Sequence, residues 1–404
     1  MSYPYGSGEQ FLANEIEFLS KRGVDIVIYP SAREGEARNL PNGVKVAKFK
    51  NSTPWHILSL NVIQVFRKYF SIFIRDLFLT IRDENINIAR YSRFAYIAGY
   101  WIRSFRFLLW YENCDIDKNC LYYTYWMNSE SYAVSILKRF NQNLVSISRA
   151  HGGDLYVERN SGFLPFRKVI LKSLSGVHAI SDHGKKYLLD RYNHELNNKI
   201  HVSRLGVSSS SRVVPNNNNI IISSCSSDDP VKRVLLIFQS LGEFSKQNNV
   251  KVTWLHIGIN KIDFERKYGL YLTKYPNLKY KIIGLIPNTE VVDVYQKNPP
   301  SLFINVSESE GVPVSIMEAL SCGLPIIATN VGGISEIVDD RVGILVDKDF
   351  VFNDISNAIS ELINNREQYS KMAFSKWKDV CNEEKNFSEF YLQLEGYSER
   401  LVNS

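Results

Sequence analysis

Two glutamates eight residues apart stand at the start of a predicted helix. Glu310 lies in a polar loop after an apolar strand predicted at 301–306, and Glu318 lies inside the helix that begins near Pro313. In open parallel sheets, ligands bind where a loop leaves a strand and enters a helix, because free backbone N–H groups there attract anions. Carboxylates accept hydrogen bonds from hydroxyl groups. The pair therefore predicts a site for a ligand with a diphosphate and hydroxyls, as a nucleotide-sugar has.

The residues around the two glutamates make this pattern more specific. From Glu310 to Ala328 the chain reads EG-x-P-x4-EA-x3-G-x-P-I-x-A, and Val331 to Glu336 follow the same pattern. The stretch resembles the E-x7-E signature of retaining GT-B glycosyltransferases of family four, the glycosyl transferases group 1, of the bacterial capsule, O-antigen and exopolysaccharide type. The alternative is that the two glutamates merely lie on the solvated side of a helix. The matching residues around them disfavour this alternative.

The resemblance implies an α/β protein of two Rossmann-like domains, each a doubly wound parallel sheet, facing a cleft. A length of 404 residues suits two domains. Polar runs at 208–211 and 216–219 indicate the linker. We expect an acceptor-binding domain at 1–206, a linker at 207–219, a nucleotide-sugar-binding domain at 220–384 and a last helix, 385–404, that crosses back to the first domain.

The donor-binding residues follow from the same resemblance. Glu318 would hold the ribose hydroxyls and Glu310 the hydroxyls of the donor sugar. Lys232 matches the family's diphosphate-binding lysine, whereas the arginine expected at Ser227 is absent. Arg233 is the candidate substitute, although the next residue on a helix is rotated by about 100°. The backbone amides expected at the diphosphate are those of Gly311, Val314, Ser315, Gly332 and Gly333.

A glycine loop near the start, with Gly6 and Gly8, runs into a helix predicted from Gln10. The resemblance implies that such a loop follows the first strand of the sheet and lines the donor cleft. Almost nothing precedes it in this sequence, so we expect either a missing first strand or a vacant sheet position. A vacancy exposes backbone groups and costs stability. The alternative is that the glycines form a flexible terminus.

A histidine follows the strand predicted at 144–148. The segment Arg149 to Asp154 reads R-x-H-G-x-D, and a residue just past a parallel strand points to the ligand-binding edge. The resemblance extends through this segment and implies that His151 contacts the donor sugar near the reacting carbon. Asp154 would orient His151 or bind an acceptor hydroxyl, and Arg149 is a second acceptor-binding candidate. A purely structural histidine is the alternative.

Residues 56–111 are aromatic and basic and predict amphipathic helices. Ile63, Phe66, Phe70, Phe73 and Leu77 recur at helical spacing, with basic residues on another face. These helices either pack on the first sheet or form an interfacial surface that rests on anionic lipid and admits a lipid-linked acceptor. Residues 1–205 hold 28 Lys and Arg against 18 Asp and Glu, so the first half is the one expected to meet an anion.

Composition restricts the remaining classes of function. Five cysteines without a paired spacing indicate a reduced, cytoplasmic protein, and no secretory signal or long apolar run is evident. We expect a cytoplasmic location, including the cytoplasmic face of the membrane. Asp115 and Asp117 predict a solvated turn rather than a metal site. No metal, cofactor or nucleic-acid partner is expected.

The resulting hypothesis is a metal-independent hexosyltransferase. It would move a sugar from UDP or GDP to a glycan acceptor, lipid-linked, in cell-surface polysaccharide synthesis, with retention at the anomeric carbon and front-face attack as the resemblance implies. Two alternatives stay open. A degenerate GT-B binding protein would bind donor without transfer, and a nucleotide-sugar epimerase would convert donor without an acceptor.

Overall fold

A computed structural model describes residues 2–5, 9–33, 35–47, 60–83, 91–114, 118–160, 162–215 and 219–402. The chain divides into two compact units. The first comprises Met1–Ser203 with Ser388–Ser404, and the second comprises Arg204–Phe387.

The described residues of the first unit include six strands in two parallel sheets. Its elements are α1 (Gln10–Lys21), β1 (Ile26–Ile28), β2 (Val44–Val46), α2 (Leu60–Asp83), α3 (Tyr91–Asn113), β3 (Tyr122–Thr124), α4 (Ser129–Phe140), β4 (Ser146–Ala150), α5 (Gly152–Leu155), α6 (Arg167–Ser173), β5 (Gly176–Ala179), α7 (Asp182–Tyr192) and β6 (Ile200–Val202). Strand β1 pairs with β2, and the other four form a sheet in the order β3-β4-β5-β6. Strand β2 was not predicted from the sequence, because a strand of three residues is too short to show a clear apolar pattern.

In the second unit, the residues that the structure describes form one six-stranded parallel sheet covered by helices. Its elements are β7 (Ile220–Cys225), α8 (Val234–Asn248), β8 (Val252–Ile257), α9 (Lys261–Leu272), β9 (Leu278–Ile282), α10 (Asn288–Lys297), β10 (Leu302–Asn305), α11 (Val314–Ser321), β11 (Ile326–Thr329), α12 (Ile334–Ile337), β12 (Gly343–Val346), α13 (Phe352–Asn364) and α14 (Arg366–Lys376). A π-helical turn at Trp377–Cys381 precedes α15 (Glu383–Val402).

The strand order of this second sheet determines where a ligand can bind. The order is β12-β11-β10-β7-β8-β9, so β7 has β8 on one side and β10 on the other. The chain reverses its direction of winding between β7 and β10, and the loops leaving these two strands meet there. The N–H of Glu308 donates to the carbonyl of Val231 at 2.8 Å across the two loops. Switch points of this kind are the usual ligand sites of parallel sheets.

The predicted linker is partly attached to the second unit. The N–H of Val207 donates to the carbonyl of Cys381, and that of Val213 donates to the carbonyl of Cys322, both at 2.9 Å. Residues 216–218 lie outside the described residues.

Helix α2 is amphipathic in a different sense from the one predicted. Val65, Tyr69 and Phe73 are buried on one side of it, whereas Ile63, Phe66 and Phe70 are exposed. The apolar residues predicted to form one side of α2 therefore lie on two adjacent faces, one buried and one exposed. A wide apolar stripe in the sequence does not show which part of it packs on the core. None of the described helices is both long and apolar enough to cross a bilayer.

Candidate active site

The loops after β7 and β10 bring together two side chains of opposite charge. A 3-10 turn, Pro230–Lys232, begins where the Asp229 carboxylate accepts the N–H of Val231 at 3.0 Å. This turn directs Lys232 toward the loop after β10, and its Nζ lies 2.6 Å from Oε1 of Glu310. Glu310 is only 5% exposed. A buried carboxylate needs such a partner, because removing a lone charge from water is costly.

A close backbone approach supports Glu310 from the other side. Gly332 has φ +57°, and a Cβ added to it would lie 1.9 Å from the carbonyl oxygen of Glu310. The N–H of Gly333 donates to the carbonyl of Gly311 at 2.8 Å. The predicted Gly332–Gly333 pair thus packs directly on the backbone of Glu310 and Gly311. Only glycine fits at the first of these positions.

Helix α11 begins directly after these residues. Pro313 precedes its first residue, Val314, and Gly311 and Pro313 are buried while Val314 and Ser315 are half-buried. The first amides of a helix lack intrahelical acceptors and carry the positive end of its dipole. The predicted amides of Gly311, Val314 and Ser315 are therefore close in sequence and space to the Lys232–Glu310 pair.

Glu318 lies on the same helix but in a different environment. It is 5% exposed, and burial raises the pKa of its carboxyl group from 4.5 to about 8, although a hydrogen bond from Asn288 lowers the pKa in part. At pH 7 the group is mainly protonated, so it can donate one hydrogen bond as well as accept others. The sequence did not indicate the Asn288 contact, which depends on α10 lying beside α11.

Arg233, the candidate replacement for the absent arginine, is directed elsewhere. Its φ of 51° is left-handed. Its Nε donates to the carbonyl of Val306 at 2.5 Å, and its Nη1 donates to the carbonyl of Lys348 at 2.8 Å. The guanidinium therefore ties the loop after β7 to two other loops. One nitrogen, Nη2, is buried with no hydrogen-bond partner among the described residues. Donor binding by Arg233 stays a prediction that depends on this nitrogen.

In the first unit, His151 lies between β4 and α5 with its ring covered by aromatic residues. The ring of Tyr125 is 4.7 Å and that of Trp126 4.4 Å from it, centroid to centroid. Neither ring nitrogen has a hydrogen-bond partner among the described residues, although His151 is only 6% exposed. Such an orphaned polar group is expected to meet a ligand or water. Sequence reasoning missed both aromatic residues, which follow β3, the neighbour of β4.

Asp154 orients His151 through the backbone rather than through the ring. Its carboxylate accepts the N–H of His151 at 2.5 Å and the N–H of Met127 at 2.6 Å. The ring Nδ1 of His151 is 4.0 Å from the carboxylate, too far for a hydrogen bond. Because Asp154 is 2% exposed and its two oxygens are occupied, this geometry favours the orienting role over contact with an acceptor.

Arg149 does not lie where acceptor binding was predicted. It is fully buried, and its Nη2 is 2.7 Å from Oε2 of Glu15 on α1. Its Nε donates to the hydroxyl of Tyr123, and its guanidinium carbon lies 4.2 Å from the ring centre of Phe390 on α15. The guanidinium is thus surrounded by protein groups and joins β4 to two helices. Arg149 is buried because it lies on β4, which is inside the four-stranded sheet.

Several predicted residues cannot be placed. Gly6, Gly8, Asp115 and Asp117 lie outside the described residues. In the part of the chain that is described, no group of three or more His, Cys, Asp and Glu side chains is arranged to hold a metal ion.

Part of the second unit matches a known protein family. Residues 209–375 match the family described as glycosyl transferases group 1. A segment of 108 residues is 34% identical to a phosphatidylinositol N-acetylglucosaminyltransferase protein of Arabidopsis thaliana, covering 26% of this chain and 24% of that protein. A segment of 138 residues is 35% identical to an uncharacterized glycosyltransferase of Methanocaldococcus jannaschii, covering 31% of this chain and 38% of that one. The matched segments span well under half of either relative.

The fold is similar to that of solved structures over nearly the whole chain. Sucrose-phosphate synthase from Thermosynechococcus elongatus has a TM-score of 0.66 at 16% identity, covering 96% of this chain and 94% of that one. HepE of Anabaena has a TM-score of 0.62 at 15% identity, covering 98% and 97%. At these identities the likeness shows the fold. Residues 209–375 therefore match the glycosyl transferases group 1 family, within a chain that has the GT-B fold.

Proposed function

We propose that the protein is a metal-independent, retaining glycosyltransferase. It would move a sugar from a nucleoside diphosphate sugar to a glycan acceptor. The observation that carries this proposal is the Lys232–Glu310 pair, held at 2.6 Å beside the first turn of α11. A cation, a carboxylate and free helix amides in one place match the diphosphate and the hydroxyls of such a donor.

The ion pair gives each of its two members a role in donor binding. Without donor, Lys232 neutralises the buried Glu310. A bound diphosphate would attract the Nζ of Lys232 and leave the Glu310 carboxylate to accept hydrogen bonds from sugar hydroxyls. When the bond to the sugar breaks, charge develops on the leaving diphosphate, and Lys232 and the amides of α11 would stabilise it.

The nucleoside part of the donor would lie toward Glu318. A protonated carboxyl group that donates and accepts suits the paired hydroxyls of a ribose. HepE of Anabaena was solved in complex with UDP and glucose, which supports a UDP donor here, with GDP as the other choice. His151, whose two ring nitrogens have no hydrogen-bond partner in the described part of the chain, would face the reacting carbon in the front-face mechanism. Mass spectrometry of stalled reactions tests this mechanism, since a covalent glycosyl adduct would contradict it.

The acceptor would be lipid-linked and the protein peripheral to an anionic membrane, at its cytoplasmic face. Five apolar side chains of α2 are exposed at helical spacing, Ile63, Phe66, Phe70, Ile74 and Phe78. Four arginines are also exposed on these two helices, Arg67 and Arg75 on α2 and Arg103 and Arg106 on α3. Apolar and basic groups together are typical of interfacial helices. Sedimentation with anionic vesicles tests this contact.

The central experiment measures donor binding and turnover together. A panel of UDP- and GDP-sugars is ranked by thermal shift, and the best donor is assayed for transfer to a lipid-linked glycan. We expect Lys232→Ala to weaken donor binding by about 10- to 100-fold, because one charge-assisted contact contributes roughly 1.5–3 kcal/mol. Glu310→Ala should abolish transfer. Lys274→Ala removes an exposed lysine that pairs with Glu243 and should change neither quantity.

The outcomes separate the three hypotheses. Donor binding without transfer in the unaltered protein would indicate a degenerate binding protein. Conversion of the donor sugar without acceptor would indicate an epimerase. The absence of any donor-induced shift would contradict all three. Lys232→Arg retains the charge and should keep most of the binding if the loss in Lys232→Ala reflects charge rather than misfolding.

A further inference from the structure

Arg167 is a fully buried arginine of the first unit that no sequence pattern indicated. It is the first residue of α6, and its exposed fraction is 0%. Its Nη1 donates to the carbonyl of Met127 at 2.7 Å, and its Nη2 donates to the carbonyl of Asp154. Removing a guanidinium from water is costly, so a buried arginine needs strong contacts of this kind to hold it.

These bonds belong to a closed set of contacts around the loop that follows β3. The Asp154 carboxylate accepts the N–H of Met127 at 2.6 Å, so Asp154 holds one backbone group of Met127 and Arg167 holds the other. The second carboxylate oxygen accepts the N–H of His151. Arg167, Met127 and Asp154 thus fix one another, and we call these three residues the Arg167 clamp.

The Arg167 clamp lies directly beside the ring of His151. Trp126 precedes Met127, and its ring centre is 4.4 Å from that of His151. The ring of Tyr125 is 4.7 Å away. Since neither ring nitrogen of His151 has a hydrogen-bond partner among the described residues, packing against these two aromatic rings is what orients the imidazole within them. A shift of the loop at Met127 would move both aromatic rings.

The backbone just before Arg167 is held in a strained conformation. Phe166 has a φ of 58°, in the left-handed region that bulky residues rarely adopt. Its ring stacks on that of Tyr132 with centroids 4.1 Å apart, and the rings of Phe73 and Tyr100 each lie 5.9 Å away. Such strain persists only where the surrounding structure imposes it, often near functional sites. Here it directs the first residue of α6 into the interior.

We propose that Arg167 is a positioning residue for His151. By fixing Met127 and Asp154, it holds the Trp126 ring and the backbone of His151, so that the imidazole keeps one orientation at the carboxyl end of β4. The part that this orientation plays in sugar transfer rests on the proposed function, in which His151 faces the reacting carbon. The orientation itself does not depend on that function.

Arginine suits this position because its donors form a rigid fork. Two different nitrogens reach two carbonyls, one after β3 and one after β4. Lysine carries all its donors on one nitrogen and cannot present this geometry. The third nitrogen of Arg167, Nε, has no hydrogen-bond partner among the described residues. The hydrogen bonds of Arg167 are therefore concentrated on Met127 and Asp154.

NMR of the histidine ring protons in the full chain measures the orientation of His151. The neighbouring aromatic rings displace its resonance from that of an exposed histidine, and His151→Gln assigns the resonance by its loss. Arg167→Met removes both bonds, so we expect the resonance to move toward the exposed value. Arg167→Lys should give a smaller shift, and it replaces the methionine variant if near-ultraviolet circular dichroism shows that the latter does not fold.

Arg139→Met is the matched control in the same unit. Arg139 of α4 pairs at 2.9 Å with Asp76, which is 1% exposed, and it donates to none of the Arg167 clamp residues. Breaking a buried ion pair should lower the thermal midpoint by about 5 °C or more. The His151 resonance should nevertheless stay where it is, because the loop at Met127 keeps its contacts.

Transfer kinetics test the role in the reaction. Arg167→Met should lower kcat by about 10- to 100-fold, because a small misplacement of a reacting group is costly. The donor KM should change little, since Lys232 and the α11 amides are not altered. Asp154→Asn acts on the same clamp, because an amide has one acceptor oxygen where the carboxylate has two. The double variant should therefore fall little below the more impaired single variant.

The outcomes separate this proposal from the proposed function. An unmoved His151 resonance in folded Arg167→Met would overturn the proposal, and so would an equal shift in Arg139→Met. An unchanged kcat in Arg167→Met would overturn the role in transfer, even with a shifted resonance. If the unaltered protein transfers no sugar, the proposed function fails, and the NMR measurement alone decides whether Arg167 positions His151.

Discussion

At the scale of single residues, Glu318 shows how burial alters the chemistry of one side chain. Burial raises the pKa of its carboxyl group to about 8, so the folded chain holds this proton more tightly than the unfolded chain does. Glu318 therefore makes its full contribution to the free energy of unfolding below about pH 4.5. That contribution falls as the pH rises toward 8, by up to about 1.4 kcal/mol per pH unit.

Glu318→Gln should remove this pH dependence, because glutamine resembles the protonated acid and does not titrate. Urea unfolding at pH 5, 6, 7 and 8 measures the effect. We expect the variant to lose less stability than the unaltered protein between pH 5 and 8. Equal slopes would show that Glu318 is ionised in the folded state, and near-ultraviolet circular dichroism at pH 6 checks that the fold is retained.

At the scale of an element, the Gly332 turn fixes the loop that carries Glu310. Gly332→Ala would place a Cβ 1.9 Å from the Glu310 carbonyl oxygen, at a φ of +57°. The loop must move, so we expect donor binding to fall at least tenfold and stability to fall by about 1–3 kcal/mol. Isothermal titration with the best donor and urea unfolding measure the two effects.

Gly269→Ala is the matched control for this variant. Gly269 lies in α9 of the same unit, and a Cβ there would meet nothing within 4 Å. Alanine is favoured over glycine inside a helix by about 0.5–1 kcal/mol, so this variant should be slightly more stable and bind donor normally. Impaired binding in both variants would show that the effect is not local to the Glu310 loop.

Helix α2 carries the prediction about membranes. Phe70 and Phe78 are 36% and 67% exposed. The double variant Phe70→Ser and Phe78→Ser should reduce sedimentation with phosphatidylglycerol-containing vesicles at least tenfold, since each buried aromatic contributes roughly 1.5–3 kcal/mol. Leu270→Ser, at a 95% exposed leucine of α9, should have no effect. Equal sedimentation of all three proteins would contradict a membrane role for α2.

At the scale of the whole molecule, the end of the chain completes the first unit. Residues from Ser388 onward belong to it, although α15 begins in the second unit at Glu383. Phe390 and Leu394 of this helix are buried in one cluster with Val145 and Ile147. Phe390 also contacts the guanidinium of Arg149. The fold of the first unit therefore depends on residues that are distant in sequence.

Phe390→Ala should destabilise the protein by about 3–5 kcal/mol, because it opens a cavity in this cluster. Leu392→Ala, two residues away on the same helix, alters a side chain that is 65% exposed and should cost little. Differential scanning calorimetry compares the two variants. If Phe390→Ala leaves the midpoint unchanged, α15 does not pack on the first unit in solution.

Much of the second unit can be predicted from local sequence patterns. Its strands are short apolar runs that alternate with helices, and this local pattern predicts a parallel sheet. The positions of Glu310, Glu318 and Gly332 around a helix start also follow from spacing along the chain, because a strand, loop and helix of fixed length bring them to one edge.

The remaining features depend on tertiary packing, since each involves residues that are distant in sequence. Lys232 and Glu310 pair because two loops meet at a switch in strand order. Arg149 is buried because its strand lies inside a sheet, and the exposed side of α2 is the side that none of the other described elements covers. Side-chain burial, which raises the pKa of Glu318, depends on tertiary packing. It cannot be read from the spacing of residues along the chain.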